Sequence, residues 1–278
     1  MKKYIISGGA GFIGTNLIKR LEGETCSIDN YSTGKKENHI KGEYIEADIK
    51  DIDSLDIPKP DVIFHLAALA RIQPSFGEPV KTVDVNTFGT LKVLEWARKN
   101  DVKVVYAGSS SKWHDPYQSP YATSKYLGEE LCNMYKRTYG LDVQIARFYN
   151  VYGEHEITEG ERGAVIGLWR GMIANGEPIK IVGDGEQRRD FTYVGDIVDG
   201  LIKISESDIE QEAWELGSGL NYSINELADM FTERFNCEKE YTPDQKGNYR
   251  VTLRHDNQAV NLLGWKPKDR LSEYIKNL

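Results

Sequence analysis

The chain has 278 residues, of which 40% are hydrophobic and 28% are charged, as expected for a globular protein with a large core. Its 35 Lys and Arg residues against 43 Asp and Glu residues give a formal net charge of -8, so we expect neither nucleic acid nor a membrane surface as a partner. The three cysteines are far apart and lack CxxC spacing, which argues against a disulfide framework and a thiolate zinc site.

The first predicted strand, residues 3–7, begins almost at the N-terminus. No apolar stretch typical of a signal peptide precedes it. The sequence also contains no run of 18 apolar residues that would span a membrane. We therefore expect a cytoplasmic protein.

Short apolar runs alternate with helical patterns over the first 150 residues. The predicted strands are 3–7, 25–29, 43–46, 62–66, 103–108 and 142–148, and the predicted helices are 12–21, 79–100 and 121–139. Strands separated by helices pair in parallel and are covered on both faces. The sequence therefore predicts an α/β fold with a doubly wound, Rossmann-type parallel sheet.

After residue 150 the pattern becomes less regular. Helices are predicted at 165–175, 194–204 and 224–235, short strands at 179–182 and 215–216, and two short helices within 257–278. We expect residues 1–150 to form the Rossmann domain, which also takes in about 191–216. Residues 151–190 and 217–278 are predicted to form a smaller C-terminal lobe that completes a cleft against the sheet.

The turn after the first strand is rich in glycine. Gly8, Gly11 and Gly14 have GxxGxxG spacing, and Phe12 and Ile13 begin the next helix. Small residues let a pyrophosphate approach the backbone, and the helix N-terminus offers free N–H groups and a positive dipole end. The sequence therefore predicts a dinucleotide-binding turn.

An aspartate ends the second predicted strand. The Asp29 carboxylate can bind both ribose hydroxyls and would repel a 2′-phosphate, which favours NAD over NADP even though Lys35 and Lys36 follow closely. Asp48, after the third strand, can accept a hydrogen bond from the adenine amino group. A solvated loop carboxylate is the alternative interpretation of Asp48.

Tyr121 and Lys125 stand four residues apart at the start of a predicted helix, and this spacing puts both on one face. An ammonium group beside a phenol favours the phenolate, which can take a proton from a sugar hydroxyl. The preceding strand leads into Ser109, Ser110 and Ser111, at the sheet edge where doubly wound folds bind ligands. We expect Ser109, Tyr121 and Lys125 to be catalytic.

Further motifs extend over nearly the whole chain. They are 8–14, 29–34, 65–68, Asn86 with 89–90, 109–111, Tyr121 with Lys125, 147–153, 183–191 and 263–267. With these motifs the chain resembles the extended short-chain dehydrogenase/reductases of the NAD-dependent epimerase/dehydratase family. Within that family it is most similar to the UDP-glucose 4-epimerases and related nucleotide-sugar epimerases.

The resemblance implies further binding residues. Around the cofactor they are Asn30, Ser32, Thr33 and Gly34 at the adenosine ribose, Ile49 with Asp48 at adenine, Leu66, Ala67 and Ala68 along the cofactor, and Tyr149 at the nicotinamide. Around the substrate they are Ser110, Ser111, Asn150, Arg189 on the phosphates, and Arg250 near the diphosphate. Asn86 matches a family asparagine, although a core hydrogen bond explains it equally well.

The resemblance implies a 4-epimerase that inverts C4 of a nucleotide-diphosphate sugar, most readily a UDP-sugar, through a 4-keto intermediate with tightly bound NAD. It also implies a homodimer in which the predicted helices 79–100 and 121–139 pair as a four-helix bundle. Leu91, Leu94, Leu127, Leu131 and Met134 are the candidate apolar contacts. The five histidines lack metal-ligand spacing, so we expect no metal site.

Three alternative functions remain. A 4,6-dehydratase of this family carries an Asp-Glu pair where this chain has Ser110 and Ser111. A 4-keto reductase needs a dissociable reduced cofactor, usually NADPH, which Asp29 disfavours. A non-catalytic NAD-binding regulator would tend to lose Tyr121 or Lys125, and this chain has both.

Two departures from the family pattern leave the substrate open. Residues 112–114, Lys-Trp-His, stand where the family often has Val-Tyr-Gly, and Gln245 replaces an arginine that usually contacts the nucleotide. The sequence therefore does not decide the nucleotide, the sugar, or whether N-acetylated sugars are accepted.

Overall fold

The computed structural model describes residues 1–278. Its strands are β1 Lys3–Ser7, β2 Glu24–Asp29, β3 Glu43–Glu46, β4 Val62–His65, β5 Lys103–Ser109, β6 Val143–Phe148, β7 Val151–Tyr152, β8 Ile179–Val182, β9 Arg188–Arg189, β10 Thr192–Tyr193, β11 Trp214–Leu216, β12 Tyr222–Ser223 and β13 Lys239–Thr242. The α-helices are α1 Phe12–Arg20, α2 Ile72–Gly77, α3 Pro79–Val83, α4 Gly89–Asn100, α5 Pro120–Tyr139, α6 Val165–Ala174, α7 Val194–Glu206, α8 Ile224–Phe235, α9 Gln258–Leu263 and α10 Leu271–Lys276.

Seven strands form one sheet in the order β11-β6-β5-β4-β1-β2-β3, and every pair in it is parallel. The chain builds outward from β1 in one direction and from β4 in the other. The order therefore reverses between β1 and β4, the kind of position at which open α/β sheets bind ligands. The predicted doubly wound Rossmann fold is confirmed.

Helices cover both faces of the sheet because side chains alternate along each strand. Ile6 on β1 packs in the same core as Leu17 of α1 and Val198 of α7. Its neighbour Ile5 points to the opposite core, with Val93 of α4. Burial against two separate apolar layers explains why the central strands β4 and β5 are largely hydrophobic.

A third core lies in the C-terminal part of the chain, between α6, α8, α10 and β8. Its centre is Trp169, whose ring meets Phe231 edge-on with centroids 5.4 Å apart and whose indole N–H donates to the Lys180 carbonyl at 2.9 Å. Strand β11, by contrast, extends the large sheet beside β6. Ala259 and Trp265, however, come from the segment predicted for the lobe and pack in the first core. The division into a Rossmann domain and a smaller lobe therefore stays a proposal.

The helix predicted over 79–100 is interrupted. It consists of α3, a π-helical turn at Asp84–Phe88 and α4. Pro79 begins it, and Asp101, with φ of 51°, ends it. The following long helix, α5, begins at a serine cap, where Ser119 accepts a hydrogen bond from the Ala122 amide at 3.1 Å. No helix in the chain combines the length and the apolar composition that crossing a membrane requires.

Candidate active site

A cleft of about 990 Å³ runs along the carboxyl ends of the central strands and is walled on its other side by the C-terminal lobe. This volume is at the upper end of the range of ligand pockets, about 300–1,000 Å³. The cleft brings together most of the residues predicted from sequence. They are Gly8, Gly11, Phe12, Ile13, Gly14, Asp29, Asn30, Ser32, Thr33, Asp48, Ile49, Leu66, Ala67, Ala68, Ser109, Ser110, Ser111, Tyr121, Lys125, Asn150 and Arg189.

Three of the predicted site residues, Tyr149, Arg250 and Gly34, lie outside the cleft lining. Tyr149 is buried, and its hydroxyl donates a hydrogen bond to Glu215 instead of facing the nicotinamide end. Arg250 is exposed and forms an ion pair with Asp184 at 2.8 Å.

Gly34 also lies outside the lining, where it backs the Asp29 carboxylate. A Cβ atom at Gly34 would come within 2.9 Å of Asp29 Oδ2. The role of Gly34 is therefore to leave room for that carboxylate.

The glycine-rich turn leaves space that side chains would fill. Gly8 has φ of +74°, and a Cβ on Gly14 would lie 2.3 Å from the Gly8 carbonyl oxygen. Helix α1 follows with neither a side-chain cap nor an acidic residue in its first turn. The open backbone and the uncapped helix N-terminus fit a dinucleotide pyrophosphate.

The Asp29 carboxylate is held in place by backbone amides at the end of β2. It accepts hydrogen bonds from Ala10 at 3.0 Å and Tyr31 at 2.8 Å, and burial raises its pKa. Lys36, the nearby cation, is paired with Glu46 at 2.6 Å. This arrangement leaves a fixed carboxylate for ribose hydroxyls and no free cation from Lys36 for a 2′-phosphate.

Asp48 also lines the cleft, but it has a local role as well. It accepts a hydrogen bond from the Lys50 amide at 2.9 Å and so caps the 3₁₀ helix at Ile49–Ser54. One carboxylate oxygen of Asp48 therefore accepts a hydrogen bond from the chain itself, while the side chain still borders the cleft near Ile49.

Helix α5 places Tyr121 in its first turn and Lys125 one turn later, both on the cleft. The Lys125 ammonium donates to the Ala107 carbonyl and lies 4.4 Å from the centroid of the Tyr106 ring. Burial lowers the pKa of Lys125 to about 8. The Tyr121 hydroxyl forms no hydrogen bond within the chain, so it is available to a ligand.

Ser109 ends β5 beside these residues, and its hydroxyl accepts a hydrogen bond from the Ser111 amide at 3.2 Å. Beneath it lies a buried charge network that the sequence did not reveal. Arg147 binds Glu129 at 2.8 Å and Glu215 at 2.9 Å, and Glu129 also accepts from the Ser109 amide at 3.4 Å. The network connects α5 with the ends of β5, β6 and β11 and so fixes Ser109 relative to α5.

The opposite side of the cleft carries Asn150 and Arg189. Asn150 has an unusual φ of 21°, and its amide donates to Thr252 at 2.9 Å. The Arg189 guanidinium donates to Asn248 at 2.5 Å, and burial lowers its pKa to about 10. A partly desolvated guanidinium in a cleft suits the binding of an anionic group.

Sequence reasoning missed several charged residues of the cleft wall, among them Arg71 and Glu156. Glu156 is only 7% exposed, and neither of its carboxylate oxygens has a hydrogen-bond partner. Burial raises its pKa to about 7, against the opposing effects of the Gly167 amide and of Arg71. No motif marks either residue, because their burial depends on contacts between distant segments.

The unusual segment 112–114 joins the two sides of the cleft. The Trp113 ring stacks on His255 with centroids 3.6 Å apart, and His114 stacks on Tyr249 at 3.9 Å. Tyr249 lines the cleft. The departure from the family pattern therefore fixes the C-terminal segment against the serine loop.

Two other motif residues have structural contacts. His65 is buried between two hydroxyl groups: Ser7 Oγ lies 2.7 Å from its Nδ1, and Thr90 Oγ1 lies 3.0 Å from its Nε2. Burial lowers the pKa of His65 to about 3. The Asn86 side-chain amide donates a hydrogen bond to the Leu69 carbonyl at 3.0 Å, and its oxygen accepts one from the Leu69 backbone N–H at 2.7 Å. His65 is thus a neutral core residue, and Asn86 holds a loop of the cleft.

Comparison with known proteins places this geometry among nucleotide-sugar enzymes. The sequence model of the NAD-dependent epimerase/dehydratase family matches residues 4–217. A putative UDP-glucose 4-epimerase of Methanocaldococcus jannaschii is 36% identical, over 99% of this chain and 96% of the relative.

The folds of solved nucleotide-sugar epimerases match that of this chain over nearly its whole length. UDP-glucose 4-epimerase of Thermotoga maritima, determined with UDP-glucose, has a TM-score of 0.91 at 29% identity and covers 99% of this chain and 96% of its own. UDP-glucose 4-epimerase of Thermus thermophilus, determined with NAD, has a TM-score of 0.88 at 27% identity with the same coverage.

Proposed function

The chain belongs to the NAD-dependent epimerase/dehydratase family, and from this membership we infer that it is a nucleotide-sugar 4-epimerase. Membership confirms the family resemblance and NAD as the cofactor. The observation that carries the proposed reaction is the position of Tyr121. It lines the cleft with its hydroxyl unbonded, on the same helix face as a buried lysine.

The residues that would hold NAD follow the cleft from its adenosine end. The turn at Gly8, Gly11 and Gly14 would take the pyrophosphate, Asp29 the adenosine ribose, and Lys125 the other ribose. Bound NAD supplies a hydride acceptor that can later return the hydride. Tyr149, which lies outside the cleft lining, is not part of this proposal.

In the proposed reaction Tyr121 is the general base. Its phenolate takes the proton of the sugar 4-hydroxyl as the C4 hydride leaves, which produces a 4-keto sugar. The Lys125 charge stabilises the phenolate, and the Ser109 hydroxyl donates to the sugar oxygen. Tyr121 returns the proton after the ketone has presented its other face.

The sugar nucleotide would lie on the lobe side of the cleft, with Arg189 and Asn150 at its diphosphate. The relative determined with UDP-glucose supports a UDP-sugar as the ligand. A 4,6-dehydratase is the less favoured alternative, because neither Ser110 nor Ser111 can act as a carboxylic acid or a carboxylate base.

A screen of nucleotide sugars tests the proposal. Purified protein with NAD is incubated with glucose and N-acetylglucosamine carried on UDP, dTDP, GDP or CDP, and products are separated by chromatography and identified by NMR. We expect the C4 epimer of at least one UDP-sugar. A 4-keto-6-deoxy product would instead identify a dehydratase.

A further inference from the structure

Arg71 is a cation in the cleft wall with unused donors. Its Nε donates to the Arg162 carbonyl at 3.2 Å, which orients the guanidinium. Neither terminal nitrogen has a hydrogen-bond or ion-pair partner in the chain, although the residue lines the cleft. The side chain is partly buried, and this burial lowers the pKa of the guanidinium. Such a group gains most from an anion that enters the cleft.

Arg71 directly precedes a helix that is hydrogen-bonded to the proposed base. Helix α2 begins at the next residue, and its Ser75 hydroxyl accepts a hydrogen bond from the Tyr121 amide at 3.2 Å. Arg71 itself has φ of 90°, a conformation that non-glycine residues rarely adopt. Strained residues of this kind occur mainly at ligand sites, where surrounding contacts maintain them.

Glu156 is a candidate counter-ion in this wall, since its charge acts on Arg71. No ion pair joins the Arg71 guanidinium to the Glu156 carboxylate, whose pKa burial raises to about 7. The neighbouring Arg162 differs, because it is already paired with Glu78 at 2.5 Å. Arg71 is therefore the available cation on this side of the cleft.

Sugar geometry decides which anion Arg71 can meet. In a hexose the diphosphate is attached to C1, on the opposite side of the ring from C4, whereas C6 is attached to C5, next to C4. Resting on the proposed function, in which Tyr121 meets the 4-hydroxyl, we propose that Arg71 binds a C6 carboxylate. The substrate class is then nucleotide-linked hexuronic acids, and Arg71 is the residue that selects them.

Matched sugars test this selection on the NAD-loaded protein. We measure binding of UDP-glucuronate, UDP-glucose and UDP by calorimetry, and kcat/KM for C4 inversion of the two sugars. A charge-assisted pair predicts a preference of at least about tenfold for UDP-glucuronate. Arg71→Met should reduce that preference by at least about tenfold, and Arg71→Lys should keep part of it. The control Arg137→Met changes an exposed arginine on α5 and should keep the full preference.

The outcomes separate this inference from the proposed reaction. Equal affinity of the intact protein for the two sugars would overturn it and leave C4 epimerisation standing, and this comparison needs no variant to fold. If Arg71→Met weakens the binding of UDP as much as the binding of UDP-glucuronate, the arginine binds the diphosphate and the inference is wrong. If binding of UDP-glucuronate is selective and depends on Arg71 but no sugar is inverted at C4, the recognition stands and the proposed reaction fails.

Discussion

Tyr121 lines the cleft, and its hydroxyl forms no hydrogen bond within the chain. Loss of a general base typically reduces turnover by about 10²–10⁴-fold. We therefore expect Tyr121→Phe to reduce kcat by at least about 10²-fold while NAD remains bound, because the ring and Lys125 are unchanged. Tyr117→Phe is the control, since Tyr117 is 80% exposed beside the same helix. Near-normal turnover by Tyr121→Phe would show that the base lies elsewhere.

Asp29 is expected to set the choice between NAD and NADP. Charge-assisted hydrogen bonds to the ribose contribute about 1.5–3 kcal/mol, which corresponds to about 10–100-fold in affinity. Asp29→Ala should lower the affinity for NAD by about tenfold or more. It should also reduce the discrimination against NADP, as measured by calorimetry. Asp56→Ala, a change of an exposed carboxylate that does not line the cleft, is the control. Tighter binding of NADP than NAD by the intact protein would contradict this assignment.

Glu156 should make stability depend on pH. Its pKa is about 7 in the folded chain against an ordinary value of 4.5. Between these pH values Glu156 loses its proton in the unfolded chain and keeps it in the folded chain. The stability that Glu156 contributes is therefore fully present below about pH 4.5 and is lost as the pH rises to about 7. The loss is at most about 3 kcal/mol. Arg71 and Arg170 are the nearby cations that limit it.

Urea unfolding at pH 5 and pH 8 tests this expectation. Relative to Glu156→Gln, which cannot titrate, the intact protein should be less stable at pH 8 than at pH 5. Glu159→Gln, a change of an exposed carboxylate in the same loop, is the control. A difference between the intact protein and Glu156→Gln that does not change with pH would show that Glu156 titrates normally.

At the residue scale, the sequence predicts those site residues that local patterns mark. The glycine spacing and the pair Tyr121 and Lys125 depend only on neighbours along the chain, and the structure puts them on the cleft. Arg71 and Glu156 were missed because a polar loop residue looks the same whether it is solvated or buried by a distant segment. The hydrogen bond of Tyr149 to Glu215 was missed for a related reason, since Glu215 comes from a remote strand.

Among the elements, helices α4 and α5 carry the expected dimer contacts. Leu94 is fully buried against the sheet and cannot contribute, while Leu91 and Leu131 are half-buried against the same core. Leu127 and Met134 remain exposed on α5, one above the other at a spacing of seven residues. This stripe, Leu127 and Met134, is the surface that we propose pairs with a second copy.

Light scattering tests the pairing. We expect twice the chain mass of 31.5 kDa for the intact protein, and half that value for the double change Leu127→Glu and Met134→Glu, because two buried charges oppose an apolar interface. Leu220→Glu is the control at a more exposed leucine in the other part of the chain. A monomer mass for the intact protein across micromolar concentrations rules out the dimer.

Element prediction succeeded where periodicity was strong and failed where it was absent. The central strands of the large sheet are short runs of mostly buried apolar residues. The predicted limits of all the strands in this sheet agree with the structure to within a residue or two. Helix α2 was missed because it contains Pro74 and Gly77 in a short polar stretch. It nevertheless places Arg71 beside the cleft, so the element that the pattern did not reveal carries a specificity proposal.

For the whole molecule, function depends on a cleft that the sheet and the smaller lobe build together. Sequence patterns predicted the sheet, because strand and helix periodicities are local. They did not predict the arrangement of the lobe, since it depends on contacts such as those of segment 112–114 with His255 and Tyr249. The site can therefore be assigned to a family from sequence, whereas the sugar it selects depends on long-range packing.

Transfer of the C4 hydrogen tests the central claim most directly. The NAD-loaded protein is incubated in ordinary water with a UDP-sugar deuterated at C4, and the product is examined by NMR. The account predicts the C4 epimer with its deuterium still at C4, because the hydride leaves and returns to the same carbon within one cleft. An inverted product that has lost the deuterium to solvent, or a 4-keto-6-deoxy product without inversion, would contradict it.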